Sequence, residues 1–121
     1  MLAIKSQSLT SRNIAKLIAE FASEKKAFDI LILDMRKLVN FCDYFVICSG
    51  NTDRQVIAIA EGIQEGVEKK NMRVPHLQGA RDARWVVMDF GSVIVHIFEK
   101  QTREFYGLDY LWQEAKKVEW P

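Results

Sequence analysis

The side chains in this sequence that could do chemistry are few and scattered. His76 and His96 stand twenty positions apart, and the two cysteines, Cys42 and Cys48, form no CxxC pair. A metal site gathers His, Cys or carboxylates at short ligand spacings, and no local stretch supplies them. A Ser–His–Asp or Cys–His nucleophile has no local signature either. Nucleotidyl transfer needs carboxylates paired on one strand to hold two metal ions. Asp34-Met35-Arg36 puts a cation where the second acid would stand, and Asp43 and Asp89 are single acids beside turns or strand ends. No catalytic, metal-binding or cofactor-binding residue is assigned on these grounds.

The stretch nearest to a ligand loop is DYFVICSGNTDRQV, residues 43–56. An apolar run stops at Ser49-Gly50-Asn51. Thr52 can cap a following helix, and Gln55 three residues later completes a capping box. A helix N-terminus can hold an anion. A phosphate loop, however, needs several glycines to bring backbone N–H groups close, and a P-loop needs its Lys-Ser/Thr pair as well. With one glycine and no lysine, the stretch reads as a structural turn. Nucleotide binding or transfer at Ser49-Gly50 remains the alternative.

The elements around these residues follow from periodicity. Ile14, Leu17, Ile18 and Phe21 form one apolar stripe, so residues 8–26 read as a helix, with Ser8, Thr10 or Ser11 as its cap. Residues 29–34 and 44–48 are short, continuously apolar runs, as strands buried on both faces are. Val56, Ala60, Ile63 and Val67 mark a second helix running to about Lys70. Residues 71–84 read as a connection, since Pro75 excludes a helix interior. Residues 85–90 and 93–98 form a hairpin around Gly91-Ser92, a two-residue turn with glycine first. Residues 101–106 and 108–117 read as short helices separated at Gly107. The order α-β-β-α-β-β-α is not the alternation of a doubly wound sheet. It predicts a single α/β domain over residues 1–121, with a mixed β-sheet of at least four strands packed with helices.

The chain has 121 residues, 49% hydrophobic and 27% charged, with 17 Lys plus Arg against 16 Asp plus Glu. A protein that binds nucleic acid through phosphate contacts carries a basic excess. The net charge of +1 therefore argues for little or no direct nucleic-acid contact. No apolar run reaches the ~20 residues that span a membrane, and MLAIKSQSLTSRN is too poor in apolar residues for a secretory signal. The cysteines read as buried thiols of a reducing compartment. A cytoplasmic location, without membrane contact, is the expectation.

The two-residue turn sets the hairpin register. Phe90 faces Val93, Met88 faces Val95 and Val86 faces Ile97, so this side is core. The reverse pairs Trp85 with Phe98, Val87 with His96 and Asp89 with Ile94. That side is large and apolar yet carries an acid and an imidazole. It suits a surface buried only by a partner, or one covered by a helix with Asp89 and His96 bonded internally. Phe105, Tyr106, Leu108, Tyr110, Leu111 and Trp112 exceed what one short helix needs. Some of them must pack on the hairpin or stay exposed as a binding patch.

The runs LDMRKL, DYFVICSGNTDRQVIAIAEGI and GARDARWVVMDFGSVIVHIFEKQTREFYGLDYLW, spanning about Phe28 to Trp112, resemble the ribosomal silencing factor family, the iojap-like proteins. The resemblance implies a nucleotidyltransferase-like fold without a catalytic role, so not an enzyme, and no cofactor. It implies binding to the large ribosomal subunit through its fourteenth protein. Translation would then be repressed by steric blocking of subunit joining. Organelle relatives imply large-subunit assembly as another role. The face expected to meet the partner comprises Gly79, Trp85, Asp89, His96, Phe98, Tyr106, Leu108 and Trp112. The same apolar face would serve a homodimer. Gln78 stands where the family commonly has Glu, and Ser92 where it commonly has Asp, so two acids are missing near that face.

Overall fold

The computed structural model describes residues 9–121. Helix α1 spans Ser11–Glu24. Of the three cap candidates, Thr10 serves, its Oγ1 accepting from the Asn13 N–H at 3.1 Å; Ser8 lies outside the described residues. Strands β1 (Phe28–Asp34) and β2 (Tyr44–Gly50) follow. Helix α2 spans Asp53–Lys69. Its capping box forms with a variation. Thr52 Oγ1 accepts from the Gln55 N–H, but Gln55 Oε1 reaches back one residue further, to the Asn51 N–H at 2.7 Å. Gln55 Nε2 also donates to the Lys26 carbonyl at 3.0 Å, which ties the turn to the end of α1.

Strands β4 (Trp85–Asp89) and β5 (Val93–Glu99) form the expected hairpin. All five strand pairs fall in the register read from the turn, from Trp85 opposite Phe98 to Asp89 opposite Ile94. The Phe90 N–H bonds to the Val93 carbonyl at 2.9 Å. Gly91 sits at φ +88°, where a side chain would be strained.

Two strands lay beyond the expectation. Strand β3 (His76–Gln78) pairs antiparallel with β4 and forms one edge of the sheet. Three exposed residues carry too little alternation to be seen in sequence. At the other end, a helix over 108–117 is not what forms. After α3 (Lys100–Tyr106) comes α4, which stops at Leu111 (Leu108–Leu111). Lys116–Lys117 then pairs with Leu33 and Asp34 as strand β6. Tertiary contacts outweigh local helix preference here. Val118 is buried, its N–H donates to the Ile32 carbonyl at 2.9 Å, and Trp120 packs on the core, so the chain is drawn out flat beside β1.

The six-stranded sheet runs β3-β4-β5-β2-β1-β6. Only β2 and β5 are parallel; every other neighbouring pair is antiparallel. It is the mixed α/β architecture expected. Helices α1 and α2 cover one face. Ile18 and Ala22 of α1 and Ile59 and Ile63 of α2 meet Val46, Val86, Met88, Val95 and Ile97, all with no exposure. The helices pack closely because Gly66 offers the Phe21 ring a flat seat. A Cβ there would lie 2.6 Å from the ring.

Candidate functional site

Among the described residues, no long helix lies over the reverse face of the sheet. Its β1–β2 half, with Leu33, Phe45 and Ile47, is covered by Met35, Cys42 and the C-terminal segment carrying Leu108, Trp112 and Ala115. The β4–β5 half is left half-open. Trp85, Val87, Asp89 and Ile94 are each partly exposed.

The expected face residues take three kinds of place. Trp85, Tyr106 and Trp112 form a partly exposed aromatic layer. The Trp85 ring lies 4.8 Å from Phe98 and 4.9 Å from Tyr106, and Trp112 meets Phe45 edge-on at 6.0 Å. Phe98 and Leu108 are buried, and hold this layer up from beneath. Gly79 and Asp89 lie at the rim. Gly79, at φ +84°, lets the chain turn against the Trp85 carbonyl where a Cβ would collide. Asp89 is bonded internally, its Oδ1 accepting the Gly91 N–H at 2.7 Å.

His96 is the eighth, and it is 92% buried, given its 8% exposure. Trp85 Nε1–H donates to His96 Nδ1 at 3.2 Å. An indole N–H can only donate, so Nδ1 carries no proton and the neutral ring carries its hydrogen on Nε2. That Nε2 has no partner among the described residues. Phe45 packs edge-on at 4.6 Å. Burial pushes the His96 pKa down to about 4, so the ring is neutral when it receives the Trp85 bond.

Large apolar side chains continue outward from Trp85 and Tyr106. Phe105 is 81% exposed, Tyr110 75% and Leu111 65%, while Phe41, 57% exposed, stands beyond Phe45. Helix α3 buries none of its residues, so packing alone would hold it poorly. Arg103 anchors it instead. Its Nη1 donates to the Asp29 carbonyl at 2.6 Å and to Ser49 Oγ at 2.9 Å. Its Nε and Nη2 clasp the Asp109 carboxylate at 3.0 and 2.7 Å, which holds that carboxyl below its ordinary range. The sequence reading gave Arg103 no role. The available signal was an arginine three residues before Tyr106, just ahead of the aromatic run.

The same contacts bear on the turn at Ser49-Gly50. A groove of about 670 Å³ lies beside it, lined by Asp29, Ser49, Lys100, Arg103, Glu104 and Asp109 among others. Arg103 is already neutralised by Asp109, the Ser49 hydroxyl is engaged, and Asp53 occupies the first turn of α2. An acid at that helix start offsets the dipole an anion would use. Gly50 serves packing, since a Cβ would press within 3.2 Å of the Val56 nitrogen. Elsewhere, Asp34 pairs with Arg36 at 2.7 Å, an interaction that draws its carboxyl down to about 2. Burial pushes the thiols up, Cys42 to about 11 and Cys48 to about 12, far from the thiolate a nucleophile needs. Among the described residues no cluster of three His, Cys, Asp or Glu side chains could hold a metal.

The family model described as "Ribosomal silencing factor during starvation" matches residues 8–121. The chain belongs to the ribosomal silencing factor family. It is similar to Ribosomal silencing factor RsfS of Bacillus subtilis, 41% identical over 107 residues that cover 88% of this chain and 91% of that one. It is also similar to the chloroplastic protein Iojap of Zea mays, 35% identical over 109 residues, 90% of this chain and 47% of that longer one. Two crystal structures share the fold. A Bacillus halodurans protein superposes with a TM-score of 0.78 at 34% identity, covering 89% of this chain and 98% of its own. A Chromobacterium violaceum protein gives 0.84 at 28% identity, covering 93% and 92%. Ribosomal silencing factor is a name for a regulator of translation, and none of these relatives carries an enzyme's name. No described helix of this ribosomal silencing factor is long and apolar enough to cross a membrane.

Proposed function

We propose that this chain binds the large ribosomal subunit through its fourteenth protein and keeps the small subunit from joining by occupying the shared surface. The observation that carries the reading is the aromatic layer on the half-open face: Trp85 and Tyr106 over buried Phe98, continuing into exposed Phe105, Tyr110 and Leu111. Exposed apolar area of this kind marks an interface. Trp85, Tyr106 and Trp112 meet the partner directly, with Gly79 and Asp89 at the rim. His96, Phe98 and Leu108 act from below, by holding the indole and the α3–α4 elbow in place. No chemistry is required, only an occupied surface, and the protein works where ribosomes are, in the cytoplasm.

The test is a sucrose gradient of purified subunits. Saturating protein is expected to shift material from the intact-ribosome peak to free subunits, and an unchanged profile overturns the reading. Trp85→Ala is expected to weaken binding by ~2 kcal/mol or more, the cost typical of a desolvated aromatic anchor. The same patch could pair two copies of the chain, and light scattering separates that occupant. A mass that stays near 14.0 kDa at high concentration leaves the patch free for the ribosome.

A further inference from the structure

The near-neutral net charge conceals an uneven distribution. Between the end of α2 and the start of β4, residues 70–84 carry Lys70, Arg73, Arg81 and Arg84 against the single acid Asp82, a net +3. The whole chain carries +1, so everything outside this connection carries −2. All four cations are exposed. Among the described residues none of them forms an ion pair; the salt bridges belong to Arg36 and Arg103. Lys70 caps the C-terminus of α2, where a cation is favoured on structural grounds alone. Arg84 lies near Glu99, whose carboxyl is held low chiefly by the Gln101 N–H and by Thr102, with a smaller part from Arg84. Arg73 lays its guanidinium against Gly91 at the hairpin turn, yet its charge stays unpaired among the described residues, and no such account covers Arg81.

The fold makes this segment the outer edge of the sheet and joins it to the docking face. Its middle forms edge strand β3. Its last part closes on itself directly before Trp85, the Ala83 N–H donating to the Gly79 carbonyl at 3.2 Å. The Glu99 N–H then donates to the Arg84 carbonyl at 2.9 Å, pinning the loop to the end of β5. Ala83 accepts a left-handed backbone, φ +59°, to complete this closure. The positive edge thus runs from Lys70 and Arg73, at the Gly91 end of β4, along β3 to Arg81 and Arg84, which alone of the four adjoin Trp85. A ribosomal surface sets its proteins in a field of phosphodiester backbone, and flexible, exposed lysine and arginine suit phosphates rather than base edges.

We propose that the 70–84 edge contacts ribosomal RNA backbone beside the protein partner, adding a salt-sensitive, sequence-independent part to the binding. This rests on the large-subunit reading above and revises the expectation of little or no nucleic-acid contact. The edge steers and strengthens docking, while the aromatic layer supplies specificity.

The experiment measures affinity for purified large subunits and for the isolated fourteenth protein across a salt series. If three phosphates are neutralised, subunit affinity falls about 40-fold between 50 and 200 mM salt. Lys70→Ala, Arg73→Ala and Arg81→Ala together are expected to lower the log–log slope by about 3, roughly 1 per residue, with the slope on the isolated protein unchanged. Asp82→Asn, which keeps a side-chain oxygen for the Arg84 N–H, is expected to tighten subunit binding at low salt. This second variant keeps the test open should the triple variant fold poorly. Tight subunit binding with a flat salt response, or an unaltered slope in the triple variant, overturns the RNA contact and leaves the docking reading intact. Loss of slope on the isolated protein as well assigns the edge to an acidic protein surface and also overturns it. No binding to subunits at any salt sinks the docking reading itself.

Discussion

Beneath α1 and α2 the sheet presents Val46, Val86, Met88, Val95 and Ile97 with no exposure at all, whereas on the reverse Trp85, Val87, Asp89 and Ile94 stay part-exposed. The same strands supply both sides, alternate residues pointing each way. On the sealed side the facing groups are mostly aliphatic, with Cys48, Met88, Tyr44 and Phe90 buried among them, and the two helices fit it closely. On the open side an imidazole is buried with one nitrogen that has no partner among the described residues, and aromatic rings spread outward over an elbow with little core of its own. Stability is concentrated on the first side. The second leaves burial incomplete and, among the described residues, one buried donor without a partner.

This contrast breaks first at the sealed face. Ile63→Ala is expected to lower stability by about 4 kcal/mol, through lost burial and the cavity left between α2 and the sheet. Urea midpoints measure this, and the affinity of the folded fraction for large subunits stays as it was. A loss of affinity out of proportion to unfolding would show the two faces to be coupled.

Acid acts on the open side. The folded pKa of His96, about 4, lies below its ordinary 6.5. Between those values the unfolded chain takes up a proton that the folded chain refuses. The stabilising contribution is therefore complete above pH 6.5 and is lost as pH falls toward 4, by about 3 kcal/mol in all. Urea melts at pH 7 and pH 4.5 detect most of the fall. His96→Phe, with no proton to gain, is expected to flatten this part of the profile. Asp34 and Asp109, held below their ordinary 3.8, lose their contributions mainly below this window, whereas Glu99, held below 4.5, begins to lose its own at the acid end of it.

Next in size is the elbow. Arg103→Ala removes charge-assisted bonds to Ser49, Asp29 and Asp109, and is expected to cost about 2 kcal/mol. Hydrogen exchange should rise first across residues 100–111. Arg103→Lys is expected to recover little, because an ammonium cannot reproduce the planar fork.

The smallest effect on folding sharpens the comparison most. Leu111→Ala, at a residue 65% exposed, should change stability by less than ~0.5 kcal/mol. Subunit affinity is nonetheless expected to fall several-fold. If affinity is untouched, the docking area ends at Tyr106.

Much of the fold was legible because it is written in short-range patterns. The hairpin register followed from Gly91-Ser92, and both long helices followed from apolar stripes and their caps. The resemblance carried by the Trp85–Phe98 region and the segment ending in Trp112 pointed to the family that the comparisons then established. The candidate face was legible as composition but not as depth. Nothing in the strings WVVMD and VIVHIFE says that Trp85 stays half-open while Phe98 and His96 sink beneath it, since depth depends on which distant segment lies overhead. Strands β3 and β6 were missed because short, exposed edge strands take their conformation from a neighbour.

The sequence by itself determined the local geometry of this protein: where helices start, where the hairpin turns, which alternate residues must be core, and that its charges nearly cancel. Those properties depend on backbone preference and on periodicity within a few residues. Only the tertiary structure decided that β2 lies parallel to β5 and that Arg103 bridges from α3 to β1 and β2. It also decided that the reverse face of the hairpin stays half-open and not covered by a helix of the described residues. Each of these joins residues tens of positions apart, and such contacts form only because the whole core closes at once.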